Sequence, residues 1–223
     1  MPEGYLARNP ISLNALRRMP FYLQYLKKLH AEGVVIVSAP TIAESLDLNE
    51  VQVRKDFAAV SPTKGKPKTG FVIKELIDAM EKFMGYRNVR DAVIVGTGSL
   101  GTALLSYQGF EQYGIKICAG FDRAIGPAGG MIAGKPVFSV DQLSEMCIRL
   151  GVRIGIITVP ADNAQIVCDQ LVAGGVKAIW NFAPVHLFAA KDILIQNENM
   201  AASLVVLSKH LEARMSGREE AEE

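Results

Sequence analysis

The sequence predicts an α/β protein in which a mainly helical N-terminal domain precedes a doubly wound parallel sheet. From residue 91 to residue 196, β-branched runs alternate with helical patterns, as in sheets built from strand–helix–strand units. The first of these runs ends abruptly in a glycine-rich turn. The region before it has short helices and a basic Gly/Pro segment instead. The predicted divisions are a first domain (1–85), the sheet domain (86–198), a C-terminal helix (199–216) and a charged tail (217–223).

The composition sets the broad class of protein. With 223 residues, 49% of them hydrophobic, the chain can bury substantial cores, and its net charge of +1 identifies no partner. The three cysteines form no CxxC pair, so neither a disulfide framework nor a zinc site is predicted. Apolar runs fall short of the ~18 residues that a membrane span needs. We therefore expect a cytoplasmic protein that does not associate with membranes.

The N-terminal domain begins with helical patterns. One helix is expected from Ser12, and Pro20 suits the first turn of a second. Val34–Val37 is expected to form a short strand. Thr41 with Glu44 has capping-box spacing and predicts a helix over residues 42–46.

The next helix makes this domain a candidate for nucleic-acid binding. Asn49 and Gln52 form a second capping-box pair, and the helix they start is separated from the previous one by three residues. This arrangement predicts a helix-turn-helix. Arg54 and Lys55 lie with Gln52 on the outward face of this helix, where such side chains can read bases in the major groove. Asp56 lies nearer the packed face and is interpreted as structural.

A basic segment follows the helix-turn-helix. Residues 61–70 hold three lysines, two glycines, two prolines and no acid, and they end before an amphipathic helix expected over Phe71–Met84. Next to a helix-turn-helix this segment is interpreted as a wing that contacts phosphates; the alternative is a solvated loop. The wing lysines are Lys64, Lys66 and Lys68.

The glycine-rich turn predicts dinucleotide binding. In the GxGxxG pattern that follows the Ala92–Val95 strand, the first glycine permits the tight turn, the second lets the backbone approach a pyrophosphate, and the third allows close packing of helix on strand. The phosphates are expected at the N-terminus of the following helix. The residues of this predicted phosphate site are Gly96, Thr97, Gly98, Ser99, Leu100 and Gly101.

The acid that binds a ribose is expected about 20 residues after the turn. Asp122 follows the second predicted strand, at 114–121, and occupies this position. Its carboxylate would repel a 2′-phosphate, so NAD(H) is favoured over NADP(H), although the adjacent Arg123 weakens this preference. The alternative interpretation is a loop aspartate that caps the next element.

Two further segments lie at the carboxyl ends of predicted strands, where open α/β sheets bind ligands. Both are expected to face the nicotinamide half of the cofactor. The residues of the two segments are Thr158, Val159 and Pro160, then Asn181, Phe182, Ala183 and Pro184.

A final strand (193–196) and an apolar helix (200–214) follow these segments. Periodicity does not decide whether this helix packs on its own chain or is swapped with a second copy.

Several segments together resemble the Rex family of redox-sensing transcriptional repressors. They lie along nearly the whole chain and are specific in combination. The matching residues are Arg18-Met19-Pro20 with Tyr22, QVRKDF (52–57), Gly70-Phe71, VGTGSLGTAL (95–104), Tyr107 with Gly109-Phe110, Phe121-Asp122, TVPA (158–161) and WNFAPVHL (180–187).

The resemblance implies a homodimeric winged-helix repressor of a palindromic operator that releases DNA when NADH binds its Rossmann domain, and that senses the NADH/NAD+ ratio. It also implies that the C-terminal helix is exchanged between subunits, that Tyr107 lies near the nicotinamide, and that Arg18 takes part in coupling the domains. Asn199 stands where the family usually has the aspartate that partners this arginine, and an amide cannot form that ion pair.

Three alternatives remain open from the sequence. One is a Rex-like repressor whose NADH response is altered or lost, because of Asn199. Another is an NAD-dependent dehydrogenase, which needs an acid or base beside the nicotinamide; His186 lies near a strand end but is more typical of a structural histidine. The third is a CoA-binding domain with a similar glycine turn, which Asp122 and the N-terminal module argue against.

Overall fold

The computed structural model describes residues 11–61, 70–86 and 90–219, and these form two compact units. Described residues up to 90 belong to the first unit together with 108–116, and residues 91–107 and 117–219 belong to the second. The segment 108–116 lies beyond the glycine turn in sequence, yet it packs with the N-terminal unit. Tyr86 and Tyr113 form one such contact, with ring centroids 5.6 Å apart.

The first unit is a helix-turn-helix flanked by two longer helices and a small antiparallel sheet. The strand pairing places Ile36 opposite Val72 and Val37 opposite Phe71, as expected at the base of a wing. The predicted wing lysines, Lys64, Lys66 and Lys68, lie outside the described residues. The elements are α1 (Leu13–Ala31), β1 (Ile36–Val37), α2 (Ala39–Ser45), α3 (Glu50–Val60), β2 (Phe71–Val72), α4 (Ile73–Met84) and a 3-10 helix (Gln108–Tyr113).

Two of the predicted helix starts are wrong. Pro20 lies inside α1, which continues through it, so the two expected helices are one. A proline there removes one intrahelical hydrogen bond, but the buried side chains on both sides of it lie on one face and hold the helix together. In α2 the cap is Ser38, whose Oγ accepts a hydrogen bond from the backbone N–H of Thr41, the residue predicted to be the cap.

The start of α3 is confirmed. Asn49 Oδ1 accepts hydrogen bonds from the backbone N–H groups of Val51 (2.9 Å) and Gln52 (3.2 Å). The Gln52 side chain is not turned back toward Asn49, as a capping box requires; its amide donates to Asp56 instead. Val53, Asp56 and Phe57 are buried, so the predicted packed face of α3 is also confirmed.

The second unit contains a seven-stranded sheet in the order β5-β6-β4-β3-β7-β8-β9. Without the short edge strand β5, which is antiparallel to β6, this is the 3-2-1-4-5-6 order of dinucleotide-binding folds. The sequence did not predict β5. The strands are β3 (Arg90–Val95), β4 (Ile115–Asp122), β5 (Gly130–Ile132), β6 (Lys135–Ser139), β7 (Ile154–Ile157), β8 (Ala178–Asn181) and β9 (Leu194–Asn197).

Helices cover the sheet of this unit, and a last helix extends beyond it. The strand β3 is central and its residues 92–95 are buried, because both faces of a doubly wound sheet are covered. None of the described helices is long and apolar enough to cross a membrane. The helices are α5 (Ser99–Ser106), a 3-10 helix (Val140–Gln142), α6 (Leu143–Leu150), α7 (Ala161–Ala173) and α8 (Met200–Glu219).

Candidate functional site

The glycine turn between β3 and α5 is held by close backbone packing. Gly96 has φ +95°, in the left-handed region that favours glycine, and its N–H donates to the Phe121 carbonyl at 2.8 Å. A Cβ on Gly101 would lie 1.8 Å from the Gly96 carbonyl oxygen. The Thr158 hydroxyl donates to the same oxygen at 2.7 Å, which ties the turn to the end of β7. Both glycines therefore have the conformational roles that the sequence predicted.

A cavity of about 670 Å³ opens at this turn. It lies at the switch point of the sheet, where β3 is flanked by β4 and β7, and it is large enough for a nucleotide-sized ligand. A Cβ on Gly98 would meet no atom within 4 Å, so the backbone here is open to a close approach. The lining residues are Val95, Gly96, Gly98, Asp122, Arg123, Val140, Asp141, Thr158, Val159, Pro160, Asn163, Ile166, Val167 and Gln170.

Asp122 ends β4 and is held in place by its neighbours. Its Oδ2 accepts hydrogen bonds from the Thr97 backbone N–H at 2.6 Å and the Thr97 hydroxyl at 2.9 Å, and its Oδ1 accepts from the Ala124 N–H at 2.9 Å. Burial raises the pKa of this carboxyl, but the hydrogen bonds from Ala124 and Thr97 outweigh burial and hold the pKa below its ordinary value. The group is thus an ionised acceptor at neutral pH.

The cavity brings together six of the predicted cofactor residues: Gly96, Gly98, Asp122, Thr158, Val159 and Pro160. Thr97 is placed to act through Asp122, since both of its donors are used there. Ser99, Leu100 and Gly101 form the first turn of α5, whose N–H groups lack intrahelical partners. Tyr107 follows the last residue of α5 and is 55% exposed.

The second predicted nicotinamide segment, 181–184, does not contribute to the lining of this cavity among the described residues. Asn181 is fully buried, and its Nδ2 donates to the carbonyl oxygens of Ala183 (3.2 Å) and Val185 (3.0 Å) and to Asn197 Oδ1 (2.9 Å), while its Oδ1 accepts from the Ala183 N–H (3.0 Å). Phe182 packs on Trp180, Ala183 is buried and Pro184 is exposed. In this structure Asn181 organises the turn after β8.

The sequence interpretation missed the part of the cavity formed by α7 and by the segment after β6. Asn163, Ile166 and Gln170 lie on one side of α7, at three- and four-residue spacing. Val140 and Asp141 follow β6, whose last residue, Ser139, pairs with Asp122 of β4. Their position at a strand end was a usable signal, because open α/β sheets bind ligands at such ends. The order of the strands was still needed to place that end beside Asp122.

The outward face of α3 carries the predicted DNA-reading residues. Lys55 is exposed, and Arg54, whose side chain is 63% exposed, forms an ion pair with Glu50 one turn earlier. Gln52 is half-buried and donates from Nε2 to Asp56 Oδ1 at 2.8 Å. The three side chains therefore share a surface, but only that of Gln52 is hydrogen-bonded to a buried residue, Asp56.

Comparisons with known proteins agree with both units. Residues 10–58 match the family described as "Putative DNA-binding protein N-terminus", and residues 87–185 match the family described as "CoA binding domain". The redox-sensing transcriptional repressor Rex of Treponema denticola is 39% identical over 193 residues, which cover 86% of this chain and 91% of that protein. The chain belongs to the Rex family. The resemblance inferred from the sequence is thereby confirmed.

Other Rex proteins match over more of the chain. That of Porphyromonas gingivalis strain W83 is 35% identical over 95% of this chain and 96% of its own length. The crystal structure of RSP in complex with β-NAD+ and operator DNA has a TM-score of 0.84 and 30% identity, covering 96% of this chain and 98% of that one. RSP in complex with β-NADH has a TM-score of 0.80, at 30% identity and over 94% of this chain and 98% of that one.

In this Rex-family chain, Arg18 and Asn199 each have a partner within their own unit. Arg18 Nη2 lies 2.8 Å from Asp56 Oδ2. Burial lowers the pKa of Arg18, but its contacts with Asp56 outweigh burial and raise it, and burial together with the Asp56 hydrogen bond raises the pKa of Tyr22 to about 12. Asn199 precedes α8, and its Oδ1 accepts from the Ala202 N–H at 3.0 Å. Asn199 is therefore a helix cap.

In the part of the chain that the structure describes, no cluster of three or more His, Cys, Asp or Glu side chains could hold a metal ion. His186 is exposed and its ring packs edge-on against Phe188, with centroids 6.2 Å apart. The histidine on which the dehydrogenase alternative depended is thus not part of the cavity lining among these residues.

Proposed function

We propose that this protein is a transcriptional repressor that binds operator DNA, senses the NADH/NAD+ ratio, and releases the operator when NADH binds. The observation that carries the proposal is that 95% of the chain is similar to a Rex repressor, with a helix-turn-helix in one unit and a cavity at a glycine turn in the other. The solved structure of RSP, with a TM-score of 0.84 to this chain, contains β-NAD+ and operator DNA. We propose that the protein catalyses no reaction in this role and that it acts in the cytoplasm.

The second unit is proposed to bind NADH and NAD+ through its glycine turn and cavity. Gly98 leaves room for a pyrophosphate at the N-terminus of α5, where helix N–H groups favour negative charge. Asp122, an ionised acceptor at the cavity wall, is suited to ribose hydroxyls and repels a 2′-phosphate. Thr158 to Pro160, at the end of β7, are placed to contact the nicotinamide half, and Asn181 to Pro184 are proposed to support that region from the end of β8.

The first unit is proposed to bind DNA with α3 in the major groove. Lys55 and Arg54 offer cationic donors on its exposed face, as phosphate or guanine contacts require, and Gln52 offers an amide. The wing lysines 64, 66 and 68 are proposed to add phosphate contacts. In this interpretation Arg18 supports α3 through Asp56, and the coupling role of Arg18 and Asn199 remains a proposal.

Substitutions in the two units should separate the two binding activities. We expect Lys55→Ala to weaken operator binding about tenfold while leaving NADH affinity unchanged, because a base or phosphate contact is lost from an exposed side chain. Asp122→Ala should lower NADH affinity at least tenfold, since charge-assisted hydrogen bonds to the ribose are lost, and should leave operator binding without nucleotide intact. Gel-shift titrations and NADH fluorescence titrations measure the two affinities. Loss of both activities in either variant, with a normal melting temperature, contradicts the assignment.

The C-terminal helix is proposed to form a homodimer with a second copy of the chain. Leu204, Leu207 and Leu211 lie on one face of α8 and are 67%, 63% and 57% exposed. Exposed apolar stripes of this kind mark interaction sites. A two-fold dimer also matches a palindromic operator, because it presents two recognition helices to two half-sites.

Charges placed on this stripe should disrupt the dimer. For Leu207→Glu combined with Leu211→Glu we expect sedimentation equilibrium to show a monomer near 24.2 kDa, and operator affinity to fall more than tenfold because the half-site contacts are no longer linked. Ala213→Glu, which adds a charge on the opposite side of α8, is the matched control and should remain dimeric. A dimer of the double variant with wild-type operator affinity would refute the role given to α8.

A further inference from the structure

Asp56 is the centre of a hydrogen-bonded cluster beneath the proposed recognition helix. We use the name Asp56 cluster for Asp56 together with Arg18, Tyr22 and Gln52. Asp56 itself is only 3% exposed. Its Oδ2 accepts from Arg18 Nε at 2.8 Å and from the Tyr22 hydroxyl at 2.9 Å. Its Oδ1 accepts from Arg18 Nη2 at 3.1 Å and from Gln52 Nε2 at 2.8 Å. The carboxylate thus joins α1 to the first turn of α3.

The chemistry of this cluster fixes which way the Gln52 amide faces. A carboxylate only accepts hydrogen bonds, and that of Asp56 forms an ion pair with Arg18 and receives N–H and O–H donors on both of its oxygens. Gln52 must therefore turn its NH₂ group toward Asp56, and its Oε1 points away from the core. Because the partner only accepts, one of the two orientations of the amide is permitted.

The other two candidate readers on α3 are not held in this way. Arg54 is paired with Glu50 on the exposed side of the helix, and Lys55 is exposed. Both have long, exposed side chains, so fixing them against DNA restricts more rotamers and has a larger entropic cost. Gln52 is half-buried and is tied to a buried carboxylate before any DNA arrives, so its donor and acceptor are already oriented.

We infer that Asp56 is a positioning residue that sets the base preference of Gln52. Because the amide oxygen faces outward, Gln52 selects a base that presents an exocyclic amine in the major groove, which is the N6 of adenine or the N4 of cytosine. Guanine and thymine present carbonyl oxygens at the corresponding edge, so the outward Gln52 oxygen faces an acceptor there and only the second Nε2 hydrogen can form a bond. This inference rests on the proposed DNA-binding function. It specifies that one position of each operator half-site should be adenine or cytosine.

Reversing the amide should reverse the preference. In Asp56→Asn, the new side chain can keep its oxygen on Arg18 and offer its NH₂ group to Gln52, which then turns its Oε1 inward and its NH₂ outward. We expect the preference at one half-site position to move from adenine or cytosine to guanine or thymine, with the ratio of affinities changing at least tenfold. In a Gln52→Met background, where no amide is present to turn, Asp56→Asn should shift no base preference.

The experiment selects bound DNA from an operator library randomised at every half-site position, using full-length wild type, Asp56→Asn, Gln52→Met and the double variant. Melting temperature and NADH titration show that each variant is folded. If Asp56→Asn keeps the wild-type preferences, or shifts them equally in the Gln52→Met background, the inference is wrong.

Gln52→Met alone tests the inference even if Asp56→Asn does not fold. It should remove a preference for adenine or cytosine at one position and leave the other positions unchanged; removal of a preference for guanine or thymine, or of none, overturns the inference while leaving the proposed function standing. Failure of the wild type to select any sequence overturns both.

Discussion

Replacing Gly101 by alanine is expected to destabilise the dinucleotide-binding unit by about 3 kcal/mol or more, lowering its melting temperature by on the order of 10 °C. The added Cβ would lie 1.8 Å from the Gly96 carbonyl oxygen and 2.9 Å from both the Gly96 carbonyl carbon and the Thr158 hydroxyl oxygen. The nearest atoms belong to the backbone of a turn that is itself fixed by Phe121, so they cannot move aside. Circular dichroism during heating measures the change.

Gly98→Ala is the matched control for that substitution. Gly98 has φ −66°, and a Cβ there would meet nothing within 4 Å, so the melting temperature should stay within about 2 °C of wild type. NADH affinity should nevertheless fall at least tenfold, because the methyl group occupies the space proposed for the pyrophosphate. Wild-type stability for Gly101→Ala, or wild-type NADH affinity for Gly98→Ala, would show that the turn is not built for close approach.

Asn181→Ala is the second substitution for which we expect a large effect, a loss of about 3 kcal/mol of stability. The side chain is fully buried and bridges β8 to the following turn and to Asn197 on β9. Removing it leaves the buried Ala183 N–H without its partner and takes a donor away from the Val185 carbonyl and from Asn197 Oδ1. Urea unfolding of the variant measures the loss as a lower midpoint with an unchanged slope.

Asn163→Ala provides the comparison for Asn181→Ala. Asn163 lines the cavity and is half-buried, so its truncation should change stability by no more than about 0.5 kcal/mol. Equal stability of the two variants would mean that the hydrogen bonds of Asn181 do not hold the turn, and that its side chain is available to a ligand after all.

The features that the sequence predicted best depend on local backbone constraints. The turn at Gly96 and Gly101 was predictable because a φ of +95° strongly favours glycine and a contact as close as that of Gly101 requires it. The spacing of the two glycines in the sequence reflects both constraints. Asn49 was predictable as a cap for a similar reason, since its side chain bonds to backbone groups two and three residues later. The doubly wound sheet was predictable from the alternation of strands and helices together with this turn, but the order of its strands was not.

The features that the sequence did not predict depend on contacts between distant residues. Arg18 and Asp56 are 38 positions apart, and nothing in their local patterns says that they meet. Asn181 was placed at a strand end, but its bond to Asn197 depends on β9 lying beside β8. Pro20 was interpreted as a helix start, and burial on the inner face of α1 carried the helix through it.

The most direct test of the account is the binding of the full-length protein to a labelled palindromic operator, selected from random DNA, with buffer, NAD+ or NADH present. We expect specific binding in buffer and with NAD+, and release by NADH. To shift the operator equilibrium, NADH must have different affinities for the DNA-bound and free forms. Asn199→Asp, measured in parallel, should bind the operator as wild type does, because aspartate also caps α8. Specific operator binding that is indifferent to both nucleotides would contradict the proposed redox response and leave a Rex-family DNA-binding protein without it.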